Sequence, residues 1–241
     1  MKTQTLSHTS NKGGTGKTTL NVVTAELLAA AGELTLGIDL DPNCSLSETY
    51  GLTFSDETSR NLLSGQIVKP YTIKKNLDII PCDLDMSFLS NVTDMQLKNQ
   101  LKKQGLLDRY NWIIIDPPGN WCAQTRNAIF AADRLIITGT VSKLDLFATS
   151  KYMEQLENCC IDADVKVVCN KYNTKLNAPF IWDQYQSLFK NFLYPIPLPD
   201  IKSLKQLTAN PSYPMHPSVK GRLAQYVSSI TDIDMGGHNH A

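Results

Sequence analysis

Short apolar runs alternate with stretches of helical periodicity along almost the whole chain, the arrangement a parallel sheet with crossover helices requires. Strands are predicted at Leu34–Leu40, Leu77–Pro81, Trp112–Asp116, Arg134–Gly139 and Val165–Asn170, with a polar first strand at Thr3–Thr9. Helices are predicted at Lys17–Ala31, Met86–Gln104, Cys122–Ala132, Leu144–Cys159 and Pro179–Lys190. The first of these places Leu20, Val23, Leu27 and Leu28 on one face, which is its packing side. The run Trp112-Ile113-Ile114-Ile115 shows no alternation, as suits a central strand covered on both faces. Six prolines between Tyr194 and Pro217 predict an extended, irregular wrap with one short helix near Ser203–Leu207. No internal repeat or linker interrupts this order. The expectation is a single α/β domain over residues 1–234, built on a mostly parallel twisted sheet flanked by helices, and a disordered tail at 235–241.

Composition narrows the function classes. The chain has 241 residues, 42% of them hydrophobic and 19% charged, with a formal net charge of zero. No global field therefore draws it to nucleic acid, and any such surface must come from local clustering. Met1 to Leu6 has no apolar signal-like core, and no apolar run reaches membrane-span length, so a cytoplasmic protein is expected. Cys44, Cys82, Cys122, Cys159, Cys160 and Cys169 form no C-x-x-C pair and have no zinc-like histidine spacing.

The strongest chemical signal is Asn11-Lys12-Gly13-Gly14-Thr15-Gly16-Lys17-Thr18-Thr19, set between a predicted strand and a predicted helix. Glycines let the backbone turn its N–H groups around a polyphosphate, and the helix that follows adds its positive N-terminal end. In such a P-loop Gly13 to Thr19 cradle the nucleotide, Lys17 reaches the outer phosphates and the Thr18 hydroxyl ligates Mg²⁺. The standard pattern has glycine where this chain has Asn11, and Lys12 is an addition. Downstream, Asp39 and Asp41 stand two apart at the end of a strand, so both carboxylates are expected on the phosphate side. Asp116 ends a buried apolar strand, the Walker B position for a carboxylate that holds a Mg²⁺-bound water. Asn170 ends another strand, and its amide offers both a donor and an acceptor to the mixed edge of adenine.

These motifs resemble the ParA/MinD family of deviant Walker A ATPases, from the K-G-G-x-G-K-[ST] box through Asp39-Leu40-Asp41-Pro42 to Asp116-Pro117-Pro118 and Asn127-Ala128-Ile129-Phe130-Ala131-Ala132-Asp133. The resemblance spans nearly the whole chain and is closest to short ParA-type partition proteins, since no operator-reading segment precedes the P-loop. It implies a P-loop fold, ATP and Mg²⁺ as cofactors, and a homodimer when ATP is bound. Within it, Lys12 implies a lysine that reaches the phosphates held by the other subunit, like an arginine finger in trans. Asp41 would orient or activate the attacking water and Asp39 would support the Mg²⁺ shell. Asn170 would bind the base, with the stretch containing Pro199 lining it. A ParB-like or other adaptor protein and nonspecific DNA are the implied partners, with a nucleoid-associated location.

Local charge agrees with a DNA-facing surface. Between Val165 and Gln225 stand Lys166, Lys171, Lys175, Lys190, Lys202, Lys205, Lys220 and Arg222, opposed only by Asp183 and Asp200. Lys202, Lys205, Lys220 and Arg222 are the candidate DNA contacts. A MinD-like membrane-cycling protein is the alternative within the fold, but Gln225–Gly237 carries Asp232 and Asp234 and no Lys or Arg. An iron–sulfur ATPase is the alternative of another class. Cys122 stands near the family's cluster position and Cys82 matches the second ligand poorly.

Overall fold

The computed structural model describes residues 2–53, 55–88, 92–173, 178–200, 204–210 and 216–235. Its strands are β1 (Gln4–Thr9), β2 (Thr35–Asp39), β3 (Tyr71–Lys74), β4 (Leu77–Ile80), β5 (Trp112–Asp116), β6 (Arg134–Thr140) and β7 (Asp164–Asn170). They form one sheet in the order β3-β4-β2-β5-β1-β6-β7. All pairs are parallel except β3 with β4. The short antiparallel edge strand β3 escaped the sequence reading, because four half-exposed residues after Pro70 carry little apolar pattern.

Around the sheet pack α1 (Lys17–Ala30), α2 (Ser45–Thr49), α3 (Ser59–Leu63), α4 (Gln96–Lys103), α5 (Leu106–Arg109), α6 (Ala123–Ala131), α7 (Lys143–Asn158), α8 (Ala178–Leu188), α9 (Leu204–Ala209) and α10 (Pro217–Thr231). Both faces of β5 are covered. Ile114 packs with Leu20 and Val23 of α1 and Val227 of α10, whereas Ile113 and Ile115 pack with Leu97 of α4 and Ala128 of α6. Each such side chain contributes about 1.5–3 kcal/mol on burial, which explains the unbroken apolar run.

The expected helix over Met86–Gln104 is corrected. Leu84–Phe88 is a 3₁₀ turn and α4 begins only at Gln96. The run Ser90-Asn91-Val92-Thr93-Asp94 is rich in side chains that compete for backbone bonds. Asn127 of α6 accepts from the Leu97 N–H at 2.8 Å and so caps α4 from another element. Helix α10 was not predicted. Pro217 occupies its first turn, and Leu223, Tyr226, Val227 and Ile230 give it a buried face.

The polar β1 lies at the centre of the sheet because its hydroxyls are satisfied there. Thr5 donates to the Ala131 carbonyl at 2.7 Å, Ser7 to the Ile115 carbonyl at 2.9 Å, and Thr9 shares a 2.6 Å bond with the Tyr152 hydroxyl. The proline-rich wrap lies along the outer edge of β7. Tyr194 and Leu198 donate their N–H groups to Val167 and Cys169, both at 2.8 Å, while Pro195, Pro197 and Pro199 fall between or beyond these donors. Of the tail expected at 235–241, only Met235 is among the described residues.

Candidate functional site

The strand ends of β1, β2, β5 and β7 open together on one cleft of about 410 Å³. Its floor is the loop between β1 and α1, with Gly13, Gly14, Gly16, Lys17, Thr18 and Thr19 in the lining. Asp41, Asn43 and Ser45 line one side, and Asn170, Lys171, Pro199, Asp200 and Leu204 the other. Gly14 and Gly16 have φ of +78° and +100°, a backbone that L side chains rarely adopt. A Cβ on Gly16 would also collide with the Asn170 amide.

Thr15 turns its side chain away from the cleft, where its hydroxyl lies 3.0 Å from those of Ser10 and Thr138. Its carbonyl accepts from Asn170 Nδ2 at 2.9 Å, so the Asn170 amide ties the loop to β7 as well as lining the cleft. Lys171, at φ 55°, reaches the Gly14 carbonyl with its ammonium at 2.5 Å. Gly119, just past β5, was not singled out from sequence. A Cβ there would come within 2.9 Å of Lys17 Nζ, 3.0 Å of the Lys12 carbonyl and 3.1 Å of the Gly13 nitrogen. The loop and the β5 end therefore touch at a point where only hydrogen fits.

The two acids at the end of β2 differ in placement. Strand pairing stops at Asp39, so the two-residue alternation does not carry both carboxylates into the cleft. Asp41 lines it and accepts from the Asn43 N–H and amide at 2.9 Å each. Asp39 is fully buried and outside the lining. Its oxygens accept from the Asp41 N–H at 3.0 Å and from the Ser47 N–H and hydroxyl at 2.9 and 2.7 Å. It thus holds the turn that presents Asp41 and secures the start of α2.

Asp116 is also fully buried, with Oδ1 accepting from Asn21 Nδ2 at 2.6 Å. Its Oδ2 has no hydrogen-bond partner, an arrangement that leaves a buried acceptor unsatisfied. Burial raises the pKa of Asp116 and of Asp39, and their mutual repulsion raises Asp39 further. The Asn21 amide, the neighbouring Thr18 hydroxyl and the charge of Lys17 act in the other direction on Asp116. Lys17 is itself pushed down by burial, against the pull of Asp116 and Asp41. Asp116 and Asp41 thus both act on one lysine, and Asp116 Oδ2 with the Thr18 hydroxyl fits a divalent cation. Among the described residues no three His, Cys, Asp or Glu side chains gather into a ready metal cage. A hard cation here would take few protein ligands and complete its shell from phosphate and water.

Lys12 does not line the cleft. Its ammonium pairs with Asp145 in the first turn of α7, and that carboxylate also accepts from the Thr140 hydroxyl. Asp145 lies 133 residues away in sequence, which hid the pair from the sequence reading.

Of the candidate DNA contacts, Lys220 and Arg222 are exposed on α10. Lys205 falls in α9, and Lys202 lies outside the described residues, as does Lys175. Lys166 pairs with Asp164 at 3.5 Å, which leaves less unpaired positive charge than the sequence count, and Lys171 keeps its charge but turns to the loop. Among the described residues no helix is long and apolar enough to cross a membrane.

A family model described as an AAA domain matches residues 3–167. The chain is 33% identical over 138 residues to the chromosome partitioning protein ParA of Caulobacter vibrioides, a match covering 52% of each chain. It is 30% identical over 161 residues to the virulence plasmid ParA family protein pGP5-D of Chlamydia psittaci, covering 63% of this chain and 62% of that one. The matches thus span about half to two thirds of these relatives' lengths. Among solved structures, the ATP complex of Cyanothece McdA superposes with a TM-score of 0.85 at 21% identity, covering 96% of this chain and 97% of that one. The glycine loop, the acids at the strand ends and these matches agree that the chain belongs to the ParA/MinD family of P-loop ATPases.

Proposed function

We propose that this protein is a Mg²⁺-dependent ATPase that dimerises when loaded with ATP, binds DNA without regard to sequence and, with an adaptor protein, positions a plasmid, chromosome or other cargo. The observation that carries the reading is the buried Asp116, with one oxygen unpartnered, beside Lys17 and Thr18 under a glycine loop. The N–H groups of Gly13 to Gly16 bind the phosphates of ATP, and Lys17 meets the charge on the outer ones. Thr18 Oγ1 would ligate Mg²⁺ and Asp116 Oδ2 would hold one of its bound waters, and the ion would supply charge that neutralises the phosphate oxygens. Asp41 orients the attacking water from the cleft wall, and Asp39 supports it by fixing the Asp41 backbone. Asn170 and Pro199 border the place of the base.

Lys12 serves the second subunit, which requires it to leave Asp145. The relative named a chromosome partitioning protein, the relative named a virulence plasmid ParA family protein and the ATP complex of McdA support the assignment. DNA contact falls to Lys202, Lys205, Lys220 and Arg222, and dimerisation doubles their number on one assembly. The direct test measures phosphate release with Mg²⁺ and DNA binding with and without ATP. Mg²⁺-dependent turnover with DNA affinity that appears on ATP loading and falls with salt is expected. Absence of turnover overturns the enzymatic half, and equal DNA affinity without nucleotide overturns the coupling.

A further inference from the structure

Four buried polar side chains from four elements form one hydrogen-bonded chain that ends at the candidate metal carboxylate. Tyr226 of α10, His8 of β1 and Asn21 of α1 lead to Asp116 of β5, and Tyr226, His8, Asn21 and Asp116 are all fully buried. The tyrosine hydroxyl lies 2.8 Å from His8 Nε2, His8 Nδ1 lies 2.7 Å from Asn21 Oδ1, and Asn21 Nδ2 lies 2.6 Å from Asp116 Oδ1.

The proton positions in this chain follow from chemistry alone. The His8 main-chain N–H can only donate, and it lies 3.2 Å from Asn21 Oδ1. An ionised carboxylate can only accept. The Asn21 amide is therefore oriented with its oxygen to His8 and its NH₂ to Asp116. Because that oxygen has no proton to give, His8 Nδ1 carries one. Nε2 is then the acceptor, and the Tyr226 hydroxyl donates to it. Burial keeps the imidazole neutral, with its pKa lowered to about 4.

From this geometry we propose that Asn21 is a positioning residue for the metal carboxylate, and that His8 and Tyr226 hold Asn21 in the orientation that serves it. The inference rests on the reading of Asp116 as a Mg²⁺-binding group. Asn21 occupies Oδ1 of that group, so Oδ2 is the oxygen left for the cation's hydration shell beside Thr18. Without the amide, the carboxylate is free to turn and to bond elsewhere, and a metal must reorient it on binding. Residues that orient a metal ligand in this way are worth about 10–100-fold in metal affinity. The chain also makes α10 a structural partner of the site, although its Tyr226 lies 110 residues beyond Asp116 in sequence.

The experiment titrates Mg²⁺ against binding of a fluorescent ATP analogue to the full chain, with a parallel measurement in chelator. The parent and the variants Asn21→Ala and Tyr226→Phe are compared. Tyr226→Phe removes only the terminal hydroxyl, and its ring still packs edge-on against Tyr194, 5.1 Å between centroids. Asn21→Ala is expected to raise the Mg²⁺ midpoint about tenfold while leaving affinity in chelator unchanged. Tyr226→Phe is expected to shift the midpoint in the same direction by less. An unchanged Mg²⁺ midpoint in Asn21→Ala overturns the proposal. If that variant does not fold, an unchanged midpoint in Tyr226→Phe does so. A parent whose binding is indifferent to Mg²⁺ instead overturns the reading of Asp116, which separates the two failures.

Discussion

In the proposed ATP-loaded dimer Lys12 reaches the second subunit only after it gives up Asp145, so the strength of that ion pair would bear on how readily pairing occurs. The Lys12 side chain is 45% exposed and Asp145 only 6%. A pair open to water on one side is worth about 0.5–1 kcal/mol. A symmetric dimer frees two lysines, so the cost enters the dimerisation constant twice, as roughly 1–2 kcal/mol, or about 5–30-fold. Asp145→Asn keeps an oxygen for the Thr140 hydroxyl and leaves the Ser142 cap on its own N–H in place. It removes only the charge that holds Lys12. Sedimentation velocity across a concentration series with ATP, in an Asp41→Ala background to prevent turnover, gives the dimer constant. The expected result is tighter ATP-dependent pairing by about 5–30-fold, with the same monomer behaviour in the absence of nucleotide. Equal or weaker pairing would refute the idea that Asp145 restrains Lys12.

Three further outcomes are expected. Gly119→Ala places a methyl group against Lys17 Nζ and the Gly13 nitrogen, and should weaken ATP binding by at least about tenfold with an unchanged circular dichroism spectrum; calorimetry showing parental affinity contradicts the contact. Asp41→Ala should bind ATP but lose nearly all turnover, and hydrolysis within about twofold of the parent assigns the water to another group. The buried neutral His8 makes the fold sensitive to acid. Its pKa is about 4 in the fold against 6.5 in the unfolded chain, so the unfolded state binds the extra proton between these values. The stability it confers is complete above the unfolded value and is lost as pH falls to the folded one, by about 3 kcal/mol. The raised carboxyls of Asp39 and Asp116 act with the opposite sign, so the His8 contribution is read as the difference between the parent and His8→Leu. Urea unfolding from pH 4 to 7 should show that difference shrinking towards low pH, and a constant difference rules it out.

The parts of the site that lie close in sequence were legible in it. Gly13, Gly14, Gly16, Lys17, Thr18 and Thr19 follow β1 and line one cleft, and Asp116 ends β5, whose apolar run is plain, where its charge acts on Lys17. What could not be read is what depends on distant partners. A central strand with Thr5, Ser7, His8 and Thr9 looks unsuited to burial until Ala131, Ile115, Asn21, Tyr226 and Tyr152 are brought beside it. The restraint on Lys12 and the orientation of Asp116 belong to the same class, since Asp145 and Asn21 carry no motif of their own. Asp39 illustrates a different limit. Its spacing from Asp41 implied a shared direction, but β2 ends at Asp39 and the turn beyond it redirects the chain. The edge strand β3 and helix α10 were missed for want of apolar pattern in the first and behind a proline-rich approach in the second.

The cleft floored by the glycine loop is proposed to bind ATP through Lys17. Calorimetric titration of ATP with Mg²⁺ into the parent and into Lys17→Ala tests it most directly. The side chain is buried against Asp116 and Asp41, so its removal takes away the cation that meets the phosphates and leaves the acids uncompensated. Measurable binding by the parent and none by the variant is expected. Equal ATP affinity in the two proteins would contradict it.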